Sequence, residues 1–226
     1  MKKIIIVTGA TSGIGLECVR KFLEIDDVIV FGIGRNIAKI NDLKHPRFFV
    51  KQCDVANIEQ TKSLIFEIQK FGKVDCLVNA AGVTGRGDNT IVEHDLAQKM
   101  IEINILGMVN FIECILPLMR ENKTGSIINL SSLADRYPRP NNAVYAATKA
   151  YVKSFSDSLR LQNAKYGIRV INIAPALIKT PMITSLGINE GTIDLDKFGD
   201  IVKFIYLQPQ DICIRDIVVA PTSYEG

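Results

Sequence analysis

The feature that most constrains this chain is an alternation running its full length. Short, mostly β-branched runs occur at Lys3–Thr8, Val28–Ile33, Phe48–Lys51, Cys76–Asn79, Ser126–Leu130, Arg169–Ala174 and Asp216–Ala220. Stretches with helical periodicity fall between them, at Ile14–Glu24, Ile58–Phe71, Asp95–Glu121, Ala143–Lys165 and Leu195–Leu207. The short runs are apolar at nearly every position, as strands buried on both faces must be. Strands alternating with helices, without long polar linkers, predict one parallel sheet covered by helices on both sides. The expected fold class is therefore α/β, a doubly wound parallel sheet of about seven strands in three layers (α/β/α), with residues 1–226 forming a single domain.

Composition narrows the function classes. The chain is 47% hydrophobic and 23% charged, and 27 basic against 24 acidic residues leave a net charge of +3. The basic residues are scattered, so neither a nucleic-acid surface nor a membrane surface is indicated. Cys18, Cys53, Cys76, Cys114 and Cys213 are odd in number and lack C-x-x-C spacing, and only His45 and His94 could join them, so no metal site is expected. Reduced thiols point to a cytoplasmic protein. No apolar run is of transmembrane length, and the apolar stretch Ile4–Val7 is too short for a secretion signal and runs directly into a Gly-rich turn.

That turn is Thr8-Gly9-Ala10-Thr11-Ser12-Gly13-Ile14-Gly15, placed between the first strand and the first helix. Glycines let backbone approach a pyrophosphate, and the helix N-terminus offers free N–H groups and positive potential. In this context the turn reads as a dinucleotide site. An acid that accepts from the 2′-hydroxyl of NAD would stand at the end of the second strand, where this chain has Gly34-Arg35-Asn36. Arg35 suits a 2′-phosphate, so NADP(H) is preferred over NAD(H).

Tyr145-Ala146-Ala147-Thr148-Lys149 supplies the chemistry. The i, i+4 spacing puts Tyr145 and Lys149 on one helix face. An ammonium ~4 Å from the phenol at an effective dielectric of ~20 is worth about 4 kcal/mol, enough to bring the tyrosine toward neutrality. Ser131-Ser132 ends the fifth strand, where a hydroxyl can hold a carbonyl oxygen beside the tyrosine. A serine hydrolase is disfavoured, because neither serine lies in a G-x-S-x-G elbow.

Taken in order, these residues resemble the short-chain dehydrogenase/reductase family in its compact single-domain branch, with a Rossmann-type fold. The resemblance rests on Thr8–Gly15, Asp54-Val55, Asn79-Ala80-Ala81-Gly82, Asn104, Ser132, Tyr145, Lys149 and Pro175-Ala176-Leu177-Ile178-Lys179-Thr180. It implies that Tyr145 is the general acid and base, that Lys149 lowers its pKa and binds the nicotinamide ribose, and that Ser132 orients the substrate. Asn104 would hold a relay water. Gly9, Thr11, Ser12, Gly13, Ile14 and Gly15 would cradle the pyrophosphate. Asp54 and Val55 would contact adenine, Asn79 to Gly82 the ribose, and Pro175, Ala176, Ile178 and Thr180 the carboxamide.

Three positions depart from the family pattern: Ala80 for Asn, Ala176 for Gly, and Ser12 where NADP users often carry a base. Discrimination between nucleotides then rests on Arg35. The loops Gly82–Glu93 and Ala176–Asp194 leave strand ends where such sheets bind ligands, and the second is the expected substrate loop. Val83, Leu133, Ala134, Tyr137, Leu177 and Met182 are expected pocket walls, and Arg136 and Arg139 either face solvent or receive an anion. The substrate class is a small ketone, aldehyde or 3-oxo acid derivative, and the assembly a homodimer or homotetramer. The alternatives are a silent NADP(H)-binding sensor of the same fold, which would lack part of the catalytic set, and a methyltransferase, which would leave Tyr145 and Lys149 unexplained.

Overall fold

The computed structural model describes residues 2–40, 42–85, 93–184, 187 and 191–224. Its strands are β1 (Lys3–Thr8), β2 (Val28–Gly34), β3 (Phe48–Gln52), β4 (Lys73–Asn79), β5 (Gly125–Leu130), β6 (Ile168–Pro175) and β7 (Asp216–Val219). They form one sheet in the order β3-β2-β1-β4-β5-β6-β7, every pair parallel. The order reverses between β1 and β4. At that point the connections leave in opposite directions and open a crevice at the strand C-termini.

The side-chain period of two sorts the core. Ile4 and Ile6 of β1 face one apolar cluster, with Phe31, Leu77, Phe111 and Ile127. Ile5 and Val7 face the other, with Val30, Val78, Ile128 and Ile171. The helices α2 (Ile58–Ile68), α4 (Gly107–Asn122) and α5 (Ala143–Asn163) serve the first face, and α3 (His94–Ile101) packs beside α5. The second is covered by α1 (Gly13–Leu23) and α7 (Leu195–Leu207), and a short α6 (Pro181–Thr184) follows β6.

Two differences from the sequence expectation have physical causes. β4 starts at Lys73, not Cys76, because the Asp75 carboxylate is satisfied where it is buried. Asp75 accepts from the Tyr206 hydroxyl at 2.7 Å and pairs with Lys3 at 3.6 Å. The stretch Asp95–Glu121 is not one regular helix, because a π turn at Glu102–Leu106 separates α3 from α4. The whole run His94–Asn122 is long and apolar enough to cross a membrane by length and composition, contrary to the sequence reading. Its Phe111, Ile115 and Met119 are nonetheless fully buried against the sheet.

Candidate active site

The crevice at the β1/β4 switch is a cleft of about 330 Å³. Its floor is the turn after β1. Gly9 and Gly13 adopt φ of +67° and +52°, in the left-handed region that favours glycine. A Cβ on Gly15 would stand 2.3 Å from the Gly9 carbonyl oxygen, so only glycine lets α1 start this close to the strand end. Ser12 precedes α1 without capping it, and no acidic residue occupies the first helical turn. The leading N–H groups of α1 therefore face the cleft with their partial positive charge uncompensated, the arrangement an anionic phosphate requires.

Thr8 ties the two strand ends together. Its Oγ1 accepts from the amides of Ala80 and Ala81, each at 3.2 Å, which bends the chain after β4 back over Gly9. Of the predicted nucleotide residues, Gly9, Thr11, Ser12, Gly13, Ile14, Gly15, Arg35, Val55, Ala80, Ala81, Gly82 and Thr180 line the cleft. Asn36 and Lys39, the second of which the sequence reading passed over, line it beside Arg35, and no described lining residue is acidic. Lys39 lies one turn beyond the strand end, on the 3-10 turn Ile37–Ile40, so counting from the glycines to a single position overlooks it.

Other expected positions stand elsewhere. Asp54 borders adjoining hollows with Arg35, and its carboxylate accepts from the Ala56 amide at 3.1 Å. Asn79 is buried and donates to Asn129 at 2.8 Å; Asn129 in turn donates to Ser156. Its side chain thus joins β4 to β5 and α5, away from the cleft. The Pro175 and Ala176 backbone belongs to the β6–β7 edge, where the Ala176 amide donates to Val219. The Ile178 side chain is buried in the core.

Beside the cleft, β5 and α5 bring the chemical groups together. Ser132 opens a 3-10 turn (Leu133–Asp135), and its Oγ accepts from the Ala134 amide at 3.2 Å. Tyr145 hydrogen bonds to Ser132. Burial pushes the Tyr145 hydroxyl above its ordinary pKa; the Ser132 bond opposes this and the Asp135 charge adds to it. Lys149 is 7% exposed and donates from Nζ to the Leu130 carbonyl at 2.9 Å. Burial lowers its pKa to about 8, against the opposing pull of Asp135.

The expected electrostatic pairing is therefore corrected. Lys149 Nζ is held by Leu130 and lies 5.7 Å from the Tyr145 ring centroid, so burial rather than the ammonium dominates the tyrosine in this geometry.

Asn104 sits in the π turn. Its amide accepts from Val83 N at 2.8 Å and donates to Val83 O at 3.0 Å and to Thr148 Oγ1 at 3.1 Å. It clamps the β4 exit to α5. A group at the missing Cβ of Gly82 would stand 3.5 Å from Asn104 Oδ1 and 3.6 Å from Lys149 Nζ. Gly82 therefore faces the Asn104 amide and the Lys149 ammonium together.

Among the expected pocket walls, Val83 and Met182 line the cleft, whereas Leu133 is buried and Tyr137 is 59% exposed. Arg136 neither faces solvent alone nor waits for an anion. It pairs with Asp135 at 2.6 Å and with Asp216 at 2.9 Å. Arg139 donates to the Tyr224 hydroxyl at 3.2 Å. The loop after β6 returns on itself at Ile178 and Ile193, which form a parallel bridge. Leu186, Ile188 and Glu190 of that loop, and residues 86–92 of the loop after β4, lie outside the described residues.

A family model for short chain dehydrogenase matches residues 3–191. The chain belongs to the short-chain dehydrogenase/reductase family. It is 33% identical over 242 residues to an uncharacterized oxidoreductase of Listeria monocytogenes, covering 98% of this chain and 97% of that one. Two solved members of the family are similar in structure. One is a closed form of serine dehydrogenase complexed with NADP+, at a TM-score of 0.90 and 27% identity, covering 99% of this chain and 97% of that one. The other is a 3-ketoacyl-(acyl-carrier-protein) reductase from Brucella melitensis complexed with NADH, at 0.88 and 26%, covering 97% and 96%. This short-chain dehydrogenase/reductase is thus an oxidoreductase whose similar structures include both NADP+ and NADH complexes.

Proposed function

We propose that the chain transfers a hydride between NADP(H) and a small carbonyl or alcohol substrate, a ketone, aldehyde or 3-oxo acid derivative. Tyr145 would act as general acid in reduction and as base in oxidation. The observation that carries this reading is convergence: Ser132, Tyr145 and Lys149 meet beside the mouth of a cleft whose floor is built for a pyrophosphate. A retained, fully assembled set also argues against a silent sensor.

The residues present fit a dinucleotide. The α1 N-terminus and Gly9 to Gly15 would hold the pyrophosphate, Val55 would border the base, and Thr180 would stand at the nicotinamide end. Arg35 and Lys39, with no acidic neighbour among the described lining residues, favour a ribose carrying a 2′-phosphate. When bound, the nicotinamide supplies the hydride; the protein supplies position and the proton. Ser132 holds the carbonyl oxygen next to the Tyr145 hydroxyl, which gives its proton to the developing alkoxide. The Lys149 ammonium would return a proton to Tyr145, fed by a relay water held at Asn104. Exposed Ile101, Leu106, Tyr151 and Leu161 support assembly as a homodimer or homotetramer.

The test is reduction of a panel of small carbonyls with NADPH. Tyr145→Phe is expected to lower kcat by about 100-fold or more while NADPH binding persists. Turnover unchanged by that substitution overturns the assignment of Tyr145.

A further inference from the structure

The first turn of α4 contains two poor helix formers, and both meet the same residue across the cleft wall. Gly107 opens α4 directly after the π turn, and Asn110 follows one turn later. Glycine weakens a helix interior, and asparagine is among the weaker helix formers because its amide competes for backbone partners. Asn110 Nδ2 donates to the Val55 carbonyl at 2.9 Å, a bond between residues 55 apart in the chain. A Cβ on Gly107 would stand 2.5 Å from Val55 Cγ2 and 3.0 Å from Val55 Cβ, so the valine side chain rests on bare helix backbone.

The loop that carries Val55 closes without help from α4. Asp54 N donates to Gln60 Oε1 at 3.0 Å, Ala56 N to the Asp54 carboxylate at 3.1 Å, and Asn57 N to the Asp54 carbonyl at 2.9 Å. The Asn110 bond is therefore not needed to close this turn; it fixes where the turn sits against the helix. That place matters, because Val55 and Ile103 of the π turn both line the cleft. Together they present one apolar surface, the kind on which a flat heteroaromatic ring packs. The same helical run holds the opposite wall, since Asn104 takes both backbone groups of Val83. One segment thus sets two sides of the cleft, Asn104 placing Val83 and Asn110 placing Val55.

We propose that Asn110 is a positioning residue for the base of the bound dinucleotide: its amide holds Val55 at the cleft wall, and Gly107 is the bare seat on which the Val55 side chain lies. The proposal rests on the cleft being a dinucleotide site with Val55 beside the base. It adds that base affinity is set by two residues of α4 that do not themselves line the cleft. Losing the donor frees the Val55 carbonyl to swing toward solvent, and the valine side chain leaves the plane it shares with Ile103. Affinity then falls at the base end of the nucleotide alone.

The experiment measures binding, well below Tm, by the fluorescence of NADPH, with adenosine 2′,5′-bisphosphate as a competitor that carries the base and lacks the nicotinamide. NADH and adenosine 5′-monophosphate are measured in parallel. Asn110→Leu keeps a side chain of similar length without the donor, and is expected to weaken NADPH and the bisphosphate alike by about 5- to 10-fold. Asn110→Asp sets a carboxylate against the Val55 carbonyl and is expected to weaken both by more than Asn110→Leu does. Should the Asn110 variants fail to fold, Gly107→Ala displaces the Val55 side chain by a separate route and is expected to weaken both ligands too. A merely structural role predicts a lower Tm with unchanged affinity, and that result overturns the proposal. So does a loss confined to NADPH, because the competitor then places the defect away from the base. A wild-type protein that binds neither dinucleotide refutes the reading of the cleft and this proposal with it, whereas variants that bind as the wild type does overturn the proposal alone.

Discussion

A buried Lys149 makes the candidate active site costly to fold, and that cost can be measured. Its amine is buried, with the Leu130 carbonyl as its hydrogen-bond partner. The fall from 10.5 to about 8, converted at about 1.4 kcal/mol per pH unit, means that burying the ammonium costs about 3 kcal/mol near neutrality. The sign follows from linkage. The folded pKa lies below the unfolded one, so between them the unfolded chain holds more protons and stability rises with pH. From about pH 7 to about pH 9.5 the wild-type protein should gain about 2 kcal/mol from this group alone. Lys149→Met removes the titration and leaves the Leu130 carbonyl without its partner, a loss of about 1–3 kcal/mol that offsets much of the relief. The decisive quantity is therefore the pH dependence of the difference, read from urea unfolding of both proteins at the two pH values. The variant's stability relative to wild type should fall by about 2 kcal/mol across that interval. A difference that stays constant refutes a buried, titrating Lys149.

Two further outcomes test the cleft. Arg35→Ala is expected to raise KM for NADPH about 10- to 100-fold and leave KM for NADH nearly unchanged, the value of one charge-assisted contact to a phosphate. Equal loss with both nucleotides in steady-state assays would contradict a 2′-phosphate role. Gly15→Ala places a methyl 2.3 Å from the Gly9 carbonyl oxygen, where both partners are backbone and cannot yield. It should abolish the rise in Tm that NADPH gives the wild-type protein; a retained rise would show that the turn is not the phosphate site.

Much of the architecture was legible because its determinants are local. β1 is bounded as expected, β5 begins one residue earlier and β6 is longer by one residue at each end, since each is a short apolar run between turn residues. The cleft residues near Thr8–Gly15 were likewise readable, because the glycine spacing, the strand before it and the helix after it are contiguous in sequence. What escaped depends on partners far along the chain. Asp75 looks like a strand breaker until Tyr206 is beside it. Arg136 looks like a loop cation until Asp216 arrives from β7, 80 residues later. Asn79, read as a ribose neighbour, is claimed by Asn129 across the sheet. The Tyr145–Lys149 spacing puts both on one helix face but says nothing about the Leu130 carbonyl that takes the amine.

The π turn at Glu102–Leu106, closed by the Gly107 amide on the Glu102 carbonyl, has a consequence for how this chain can change. A π turn contains one residue more than the α turn it replaces. Residues before and after it are out of phase by about 100° as measured on a regular helix. Deleting any one residue there would restore an ordinary helix and rotate one half against the other. Either Asn104 would leave Val83 or Phe111 would leave the core. Insertions and deletions are usually absorbed by loops, but in this helix the count of residues is itself part of the geometry of the candidate active site. Length, at this one place, behaves like a conserved side chain.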